Sequence, residues 1–350
     1  MAKLILHIGA SRTGSTSIQA TLARSQAMLL RQGVLYPRTG FHHRTHHLLA
    51  AAIKAQRQTG IDSIPPLEDL MVKLAHEVQA SGCETVVVSS DLFFNLYWHG
   101  QAGNTVAQAN LRRFLELFSE VKVFCFLRHQ LLLQESAYRF HVAWEGTAET
   151  AEFSERVHRW FSRAGSQNYQ EIERFYRSVR PDLEFEFVGF REAKQSGLLV
   201  KSFYDRAGLS SHYTGEVKKN ESLSRDGTLA MLMWNRGLVP AAMSRVEFLA
   251  WSRQAFPGHR ESLFDAADFD ALAPRFVPGN EELAASTGID LSVEIEEFRQ
   301  KSQFCGSSLS PEFQEQVLAY FGLGVKLGPH GNWNWKGWRH RLRKCFPFQR

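Results

Sequence analysis

The segment Leu4-Ile-Leu-His-Ile-Gly-Ala-Ser-Arg-Thr-Gly-Ser-Thr-Ser17 constrains the chain more than any other. It reads as a short apolar strand, a glycine-bounded turn and the start of a helix. Backbone N–H groups at such a turn point outward, and the helix N-terminus adds partial positive charge, so the junction is a seat for phosphate or sulfate. The spacing Gly9-x4-Gly14 matches a nucleotide phosphate loop, but the next residue is Ser15 rather than Lys. Arg12 is the only cation in the loop. That pattern argues against an ordinary ATP or GTP hydrolase and towards another phosphate-containing donor. The alternative is a strand–turn–helix junction that binds nothing. The crowding of hydroxyl side chains around one arginine favours the first reading.

The rest of the chain alternates strand and helix. Helical spacing of Ile18, Leu22 and Leu29 predicts a helix over about 14–32, stopped at Gly33. Leu35-Tyr-Pro37 is extended. The His-rich run from Phe41 to His47 opens a helix reaching about Gln56, and 66–80 is a third helix. Glu84–Ser89 and Val121–Leu127 are β-branched or apolar runs that read as buried strands. Helices are expected at about 105–118, 130–142, 152–163, 167–178 and 194–207, with a strand at 183–188. This order predicts an α/β fold, a parallel sheet flanked by helices in three layers. Residues 1–325 are expected to form one domain. Its 225–325 portion is mainly helical, with loops rich in Pro and Gly between 255 and 290.

The net charge of +5 is a property of the tail. Residues 326–350 hold seven Lys/Arg and no acid, which leaves 34 basic against 36 acidic residues in the body. Nucleic-acid binding is therefore not expected. No run of ~18 apolar residues predicts a membrane span. The N-terminus lacks a signal-peptide pattern, and Cys83, Cys125, Cys305 and Cys345 have no CxxC spacing. These features predict a cytoplasmic chain with reduced thiols and no metal site.

The run His7-Ile-Gly-Ala-Ser-Arg-Thr-Gly-Ser-Thr-Ser-Ile-Gln19 resembles the 5′-phosphosulfate loop of sulfotransferases that use 3′-phosphoadenosine 5′-phosphosulfate (PAPS). It is most similar to the bacterial branch, with Ser11 where that branch has His and Arg12 where it has Lys. The resemblance extends with landmarks from residue 3 to about 225, and more loosely to about 290. It implies that Arg12, Thr13, Gly14, Ser15, Thr16 and Ser17 hold the 5′-phosphosulfate. Arg12 would also be catalytic, neutralising charge on the leaving oxygen. Arg128 ends the 121–127 strand, and Ser136 lies two turns into the following helix. By resemblance this Arg and Ser bracket the 3′-phosphate, a task that suits the planar fork of Arg. Lys219 and Asn220, in Lys218-Lys-Asn-Glu-Ser-Leu-Ser224, fall where the family has a segment near the nucleotide.

Transfer to a hydroxyl needs a base. By resemblance the position is Asp91, just after the 84–89 strand. An Asp before Leu92-Phe-Phe is equally a helix N-cap. His43, His46 and His47 are rivals, since a neutral imidazole is a competent base near pH 7; His47 is carried with Asp91 as a catalytic candidate. The expected activity is sulfuryl transfer from PAPS to a hydroxyl or amine, with a glycan, a glycolipid or a small hydroxylated metabolite as acceptor. The alternatives are a P-loop kinase of a small hydroxylated compound and an inactive nucleotide- or glycan-binding protein. Residues 332–348 interleave Trp and Phe with Arg and Lys, which suits peripheral contact with the cytoplasmic face of a membrane.

Overall fold

The structure is a computed structural model. It describes residues 1–55, 63–98, 105–146, 153, 155–158, 168–195, 198–217, 222–239, 243–258 and 261–321. Two compact units emerge. The first comprises Met1–Leu133, Trp160–Glu221 and Leu272–Gln300; the second comprises Gln134–Arg159, Ser222–Ala271 and Lys301–Arg350.

The first unit is built on five parallel strands: β1 (Lys3–His7), β2 (Val34–Leu35), β3 (Thr85–Ser89), β4 (Glu120–Leu127) and β5 (Glu184–Gly189). Their order in the sheet is β2-β3-β1-β4-β5. β1 is central, with His7 opposite Ser89 on one side and Phe124 on the other. Successive side chains of a strand point to opposite faces. Leu4, Leu6, Val86, Val88, Val123 and Cys125 therefore enter one apolar cluster, while Ile5, Val87, Phe124 and Phe126 enter the other. Both faces of a parallel sheet need cover. The first is covered by α3 (His47–Lys54), α4 (Leu67–Ser81), α5 (Thr105–Leu115) and α7 (Gln170–Val179). The second is covered by α1 (Ser15–Arg24), α2 (Gln26–Arg31) and α9 (Leu199–Arg206). Helix α6 (Gln130–Phe140) follows β4, and α8 (Phe190–Gln195) follows β5. Later in the chain, α10 (Val277–Thr287) and α11 (Leu291–Lys301) complete this unit apart from the last residue of α11.

Several expected elements differ. The single helix over 14–32 breaks at Ser25, where the chain turns so that Gln26 Nε2 reaches the Tyr36 carbonyl at 2.6 Å. The His-rich run does not start a helix at 41. Residues 42–45 close a tight turn, with the His42 N–H on the Thr45 carbonyl at 2.9 Å and His43 at φ 61°. Helix α3 begins only at His47. The expected 194–207 helix is α8 and α9. The 255–290 stretch is more helical than its Pro and Gly content suggests, because Pro278 sits in the first turn of α10, where a missing N–H costs nothing.

The second unit contains helices Arg225–Asn235, Arg245–Ala255, Ala266–Leu272 (to its penultimate residue) and Pro311–Tyr320. It also holds a two-stranded parallel pair, β6 (Glu261–Ser262) with β7 (Gln303–Phe304). A buried Arg139–Glu135 pair at 2.7 Å ties α6 to the backbone of Leu223, Glu261 and Leu263. No described helix is long and apolar enough to cross a membrane. The 326–350 tail lies outside the described residues.

Candidate active site

The loop after β1 is held from both sides. Past His7, the N–H groups of Ile8 and Ala10 donate to Phe124 and Phe126 of β4 at 2.9 and 3.2 Å, while the N–H of Ser90 donates to the His7 carbonyl at 3.1 Å. The loop then alternates hand. Arg12 has φ 71° and Gly14 φ 82°, with Thr13 between them on the ordinary side. Alternating backbone of this kind turns successive N–H groups into one concavity. Gly14 is required on two counts: its φ is left-handed, and an added Cβ would lie 1.9 Å from Leu199 Cδ2 on α9. Helix α1 then starts at Ser15 with no side-chain cap. The first N–H groups of a helix have no intrahelical partner. Thr13, expected among the phosphate donors, shapes the loop: its hydroxyl and N–H both donate to the Ala10 carbonyl, at 2.6 and 3.3 Å. Ser15 and Ser17 are buried at the helix start, with Thr16 half-buried between them.

The end of β3 brings Asp91 beside this loop. Ser11 Oγ donates to Asp91 Oδ2 at 2.8 Å, and His47 Nε2 stands 3.8 Å from Asp91 Oδ1. The cap reading of Asp91 is corrected here. Ser90 caps the short turn that follows, its Oγ accepting from the Leu92 N–H at 3.2 Å. The same Oγ lies 2.7 Å from His47 Nδ1. Ser90 is fully buried, so its hydroxyl proton needs an acceptor inside the protein. His47 Nδ1 is that acceptor. The ring therefore carries its proton on Nε2, facing Asp91. Burial holds the His47 pKa below the usual 6.5, against the pull of Asp91, so the ring is neutral near pH 7.

The other histidines are placed differently. His46 Nδ1 accepts from the Ser89 N–H at 3.0 Å, and its Nε2 faces the Pro37 carbonyl at 3.0 Å. Burial lowers its pKa to about 4. Both nitrogens are committed, so His46 fastens the loop to β3. His43 is exposed on its turn, its ring 4.3 Å from that of His42. His7 is fully buried between Phe126 and Phe203, its Nδ1 2.7 Å from Ser89 Oγ and its Nε2 without a partner. That Nε2 lies 2.7 Å from where a Cβ on Gly9 would be.

The end of β4 supplies Arg128. Its Nε donates to Glu294 Oε1 of α11 at 3.3 Å, and the guanidinium lies 5.5 Å from the Phe190 ring centre. Arg12 and Arg128 are close enough to interact. Burial, then the charge of Arg128, lower the Arg12 pKa to about 10, and Asp91 opposes the shift. Arg12, Asp91 and Arg128 thus come from the carboxyl ends of three adjacent strands, where open parallel sheets bind ligands. Among the described residues, no group of three or more His, Cys, Asp or Glu is arranged to hold a metal ion.

Ser136 is buried on α6 and belongs to the second unit. Lys219 and Asn220 lie outside the described residues. The chain leading to them is fastened to α1, since the Val217 N–H donates to Thr21 Oγ1 at 3.1 Å and Arg24 to the Gly215 carbonyl at 2.6 Å. Sequence reading missed Ser90 and Glu294 as parts of the site. Ser90 carried a signal, being a cap-competent residue next to Asp91; Glu294 carried none, being one of three acids on its helix.

No family model and no curated protein is similar to this chain. Among solved structures, the crystal structure of a sulfotransferase from Alicyclobacillus acidocaldarius is similar at 17% identity and a TM-score of 0.47, covering 84% of this chain and 98% of that one.

Proposed function

We propose that this chain is a PAPS-dependent sulfotransferase acting on a hydroxyl or amine of a carbohydrate or glycolipid. The observation that carries the reading is one convergence. A left-handed Arg12 and an uncapped helix start sit at the end of β1, flanked by Asp91 after β3 and Arg128 after β4. In this reading the concave backbone at 12–14, with Ser15, Thr16 and Ser17, holds the 5′-phosphate. Arg128 takes the 3′-phosphate, with Ser136, Lys219 and Asn220 assigned to the donor by resemblance. Asp91 accepts the acceptor's proton as its oxygen bonds to sulfur. With Nδ1 accepting from Ser90, His47 Nε2–H is not the base in this reading; it faces the carboxylate from 3.8 Å. The bond from sulfur to the donor's bridging oxygen breaks, and Arg12 stabilises the charge left there.

A native-state ligand raises the melting temperature. The product 3′,5′-bisphosphate (PAP) is expected to raise it more than ATP with magnesium. Labelled sulfate from PAPS is expected to appear on a glycan acceptor. Stabilisation by ATP with magnesium alone would replace this reading with a P-loop kinase. PAP binding without any transfer across an acceptor screen would leave a binding protein.

A further inference from the structure

Arg128 is held on three sides by residues that the phosphate loop does not supply. Glu294 is nearly buried, and its two oxygens have separate tasks: Oε1 accepts from Arg128 Nε at 3.3 Å and Oε2 from the His129 N–H at 2.7 Å. The Phe190 ring lies against the guanidinium. The buried Tyr169 donates its hydroxyl to the Arg128 carbonyl at 2.6 Å. Helix α11 is itself pinned one turn further on, where Glu297 pairs with Arg191. The contact with Glu294 uses only the Nε edge, and no described residue accepts from the Nη groups. A guanidinium binds phosphate oxygens most strongly through two parallel N–H bonds, so the free edge is the useful one.

We propose that Glu294 is a positioning residue for donor selection, holding Arg128 by its Nε edge so that the Nη pair is presented to the 3′-phosphate. This rests on the sulfotransferase reading above. Two cations interact across this site, and each has a carboxylate near it: Asp91 for Arg12 and Glu294 for Arg128. Glu294 thus also offsets repulsion between the two arginines before an anion arrives. The opposite expectation is equally physical: a bare carboxylate near a phosphate site repels the ligand, and removing it should tighten binding. The two outcomes have opposite signs.

The test compares the affinities of PAP and 5′-AMP by titration calorimetry on the full chain. The two probes differ only in the 3′-phosphate. Glu294→Gln keeps shape, removes the charge and leaves one acceptor for the two donors, Arg128 Nε and the His129 N–H. It is expected to lower the preference for PAP over 5′-AMP about tenfold, with 5′-AMP affinity within about twofold of wild type. Glu294→Asp keeps the charge one methylene further back and is expected to fall between the two. If Glu294→Gln does not fold, Glu294→Asp is decisive by itself: a reduced preference supports the proposal. An unchanged or increased preference in either variant overturns it, as does an equal loss for both nucleotides. Wild type that fails to prefer PAP would overturn the donor reading, and this inference with it.

Discussion

Arg12 stands at φ 71°, a conformation that a side chain with a Cβ adopts at a cost of about 1–2 kcal/mol. It is also partly desolvated beside a second arginine. Arg12→Gly relieves that backbone cost but also removes the side chain's contacts, so it is expected to leave the melting temperature near that of wild type while abolishing sulfuryl transfer. Loss of both activity and stability would mean that Arg12 supports the fold rather than the chemistry. Asp91 is relieved of capping by Ser90, so its carboxylate is available as a base. Asp91→Asn is expected to lower turnover by roughly 10²–10⁴ with PAP affinity unchanged. Ser90→Ala removes a cap and the acceptor-facing lock on His47. It should cost about 1 kcal/mol of stability and also lower turnover, whereas a cap alone would affect stability only. Near-normal turnover in Asp91→Asn would remove Asp91 from the role of base.

At the scale of elements, the loop depends on α9 as much as on β1. Gly14→Ala places a Cβ against Leu199 in a left-handed backbone. It is expected to lower stability by roughly 1–3 kcal/mol and to weaken PAP binding. Gly14→Ala combined with Leu199→Ala should recover the steric part but not the backbone part. Full recovery would mean the left-handed φ matters little. Much of this architecture was legible in the sequence. β1, β3 and β4 are apolar runs buried on both faces, and strong local pattern of that kind survives folding. Gly9 and Gly14 carried the loop for the same reason. The tight turn at 42–45 was not legible, because histidines carry no turn signal and their packing decides. The choice of Ser90 over Asp91 as cap was not legible either, since adjacent residues were both competent. Glu294 pairs with a residue 166 positions away, and no local spacing can encode such a contact.

At the scale of the whole molecule, acid is the expected weakness. Burial lowers the pKa of His7 and His46 to about 4 and that of His129 to about 3, against 6.5 in an unfolded chain. Below pH 6.5 the unfolded chain binds protons that these folded rings refuse. Their contribution is therefore fully present above about pH 6.5 and is lost as pH falls towards 4. Each ring costs about 1.4 kcal/mol per pH unit in that window. The unfolded rings are half protonated at pH 6.5, so the three imply a loss of about 3 kcal/mol between pH 6.5 and 5.5. Denaturant midpoints at pH 7.5, 6.5 and 5.5 should show a plateau and then a steep fall. A flat profile down to pH 5.5 would mean that these rings take protons in the folded state.

The central position of β1 has a consequence for synthesis. It leaves the ribosome well before its partners β3 and β4, and the loop beyond it is pinned by Phe124 and Phe126. At about 5–20 residues per second, the strand waits on the order of 10 s for its second neighbour. During that time Leu4, Ile5, Leu6 and Ile8 have no sheet to join. A nascent chain halted before Glu120 is expected to bind, through this strand, a chaperone that takes exposed apolar segments, and to show no affinity for PAP. One extended past Leu127 has both flanks available and should release the chaperone as the sheet closes.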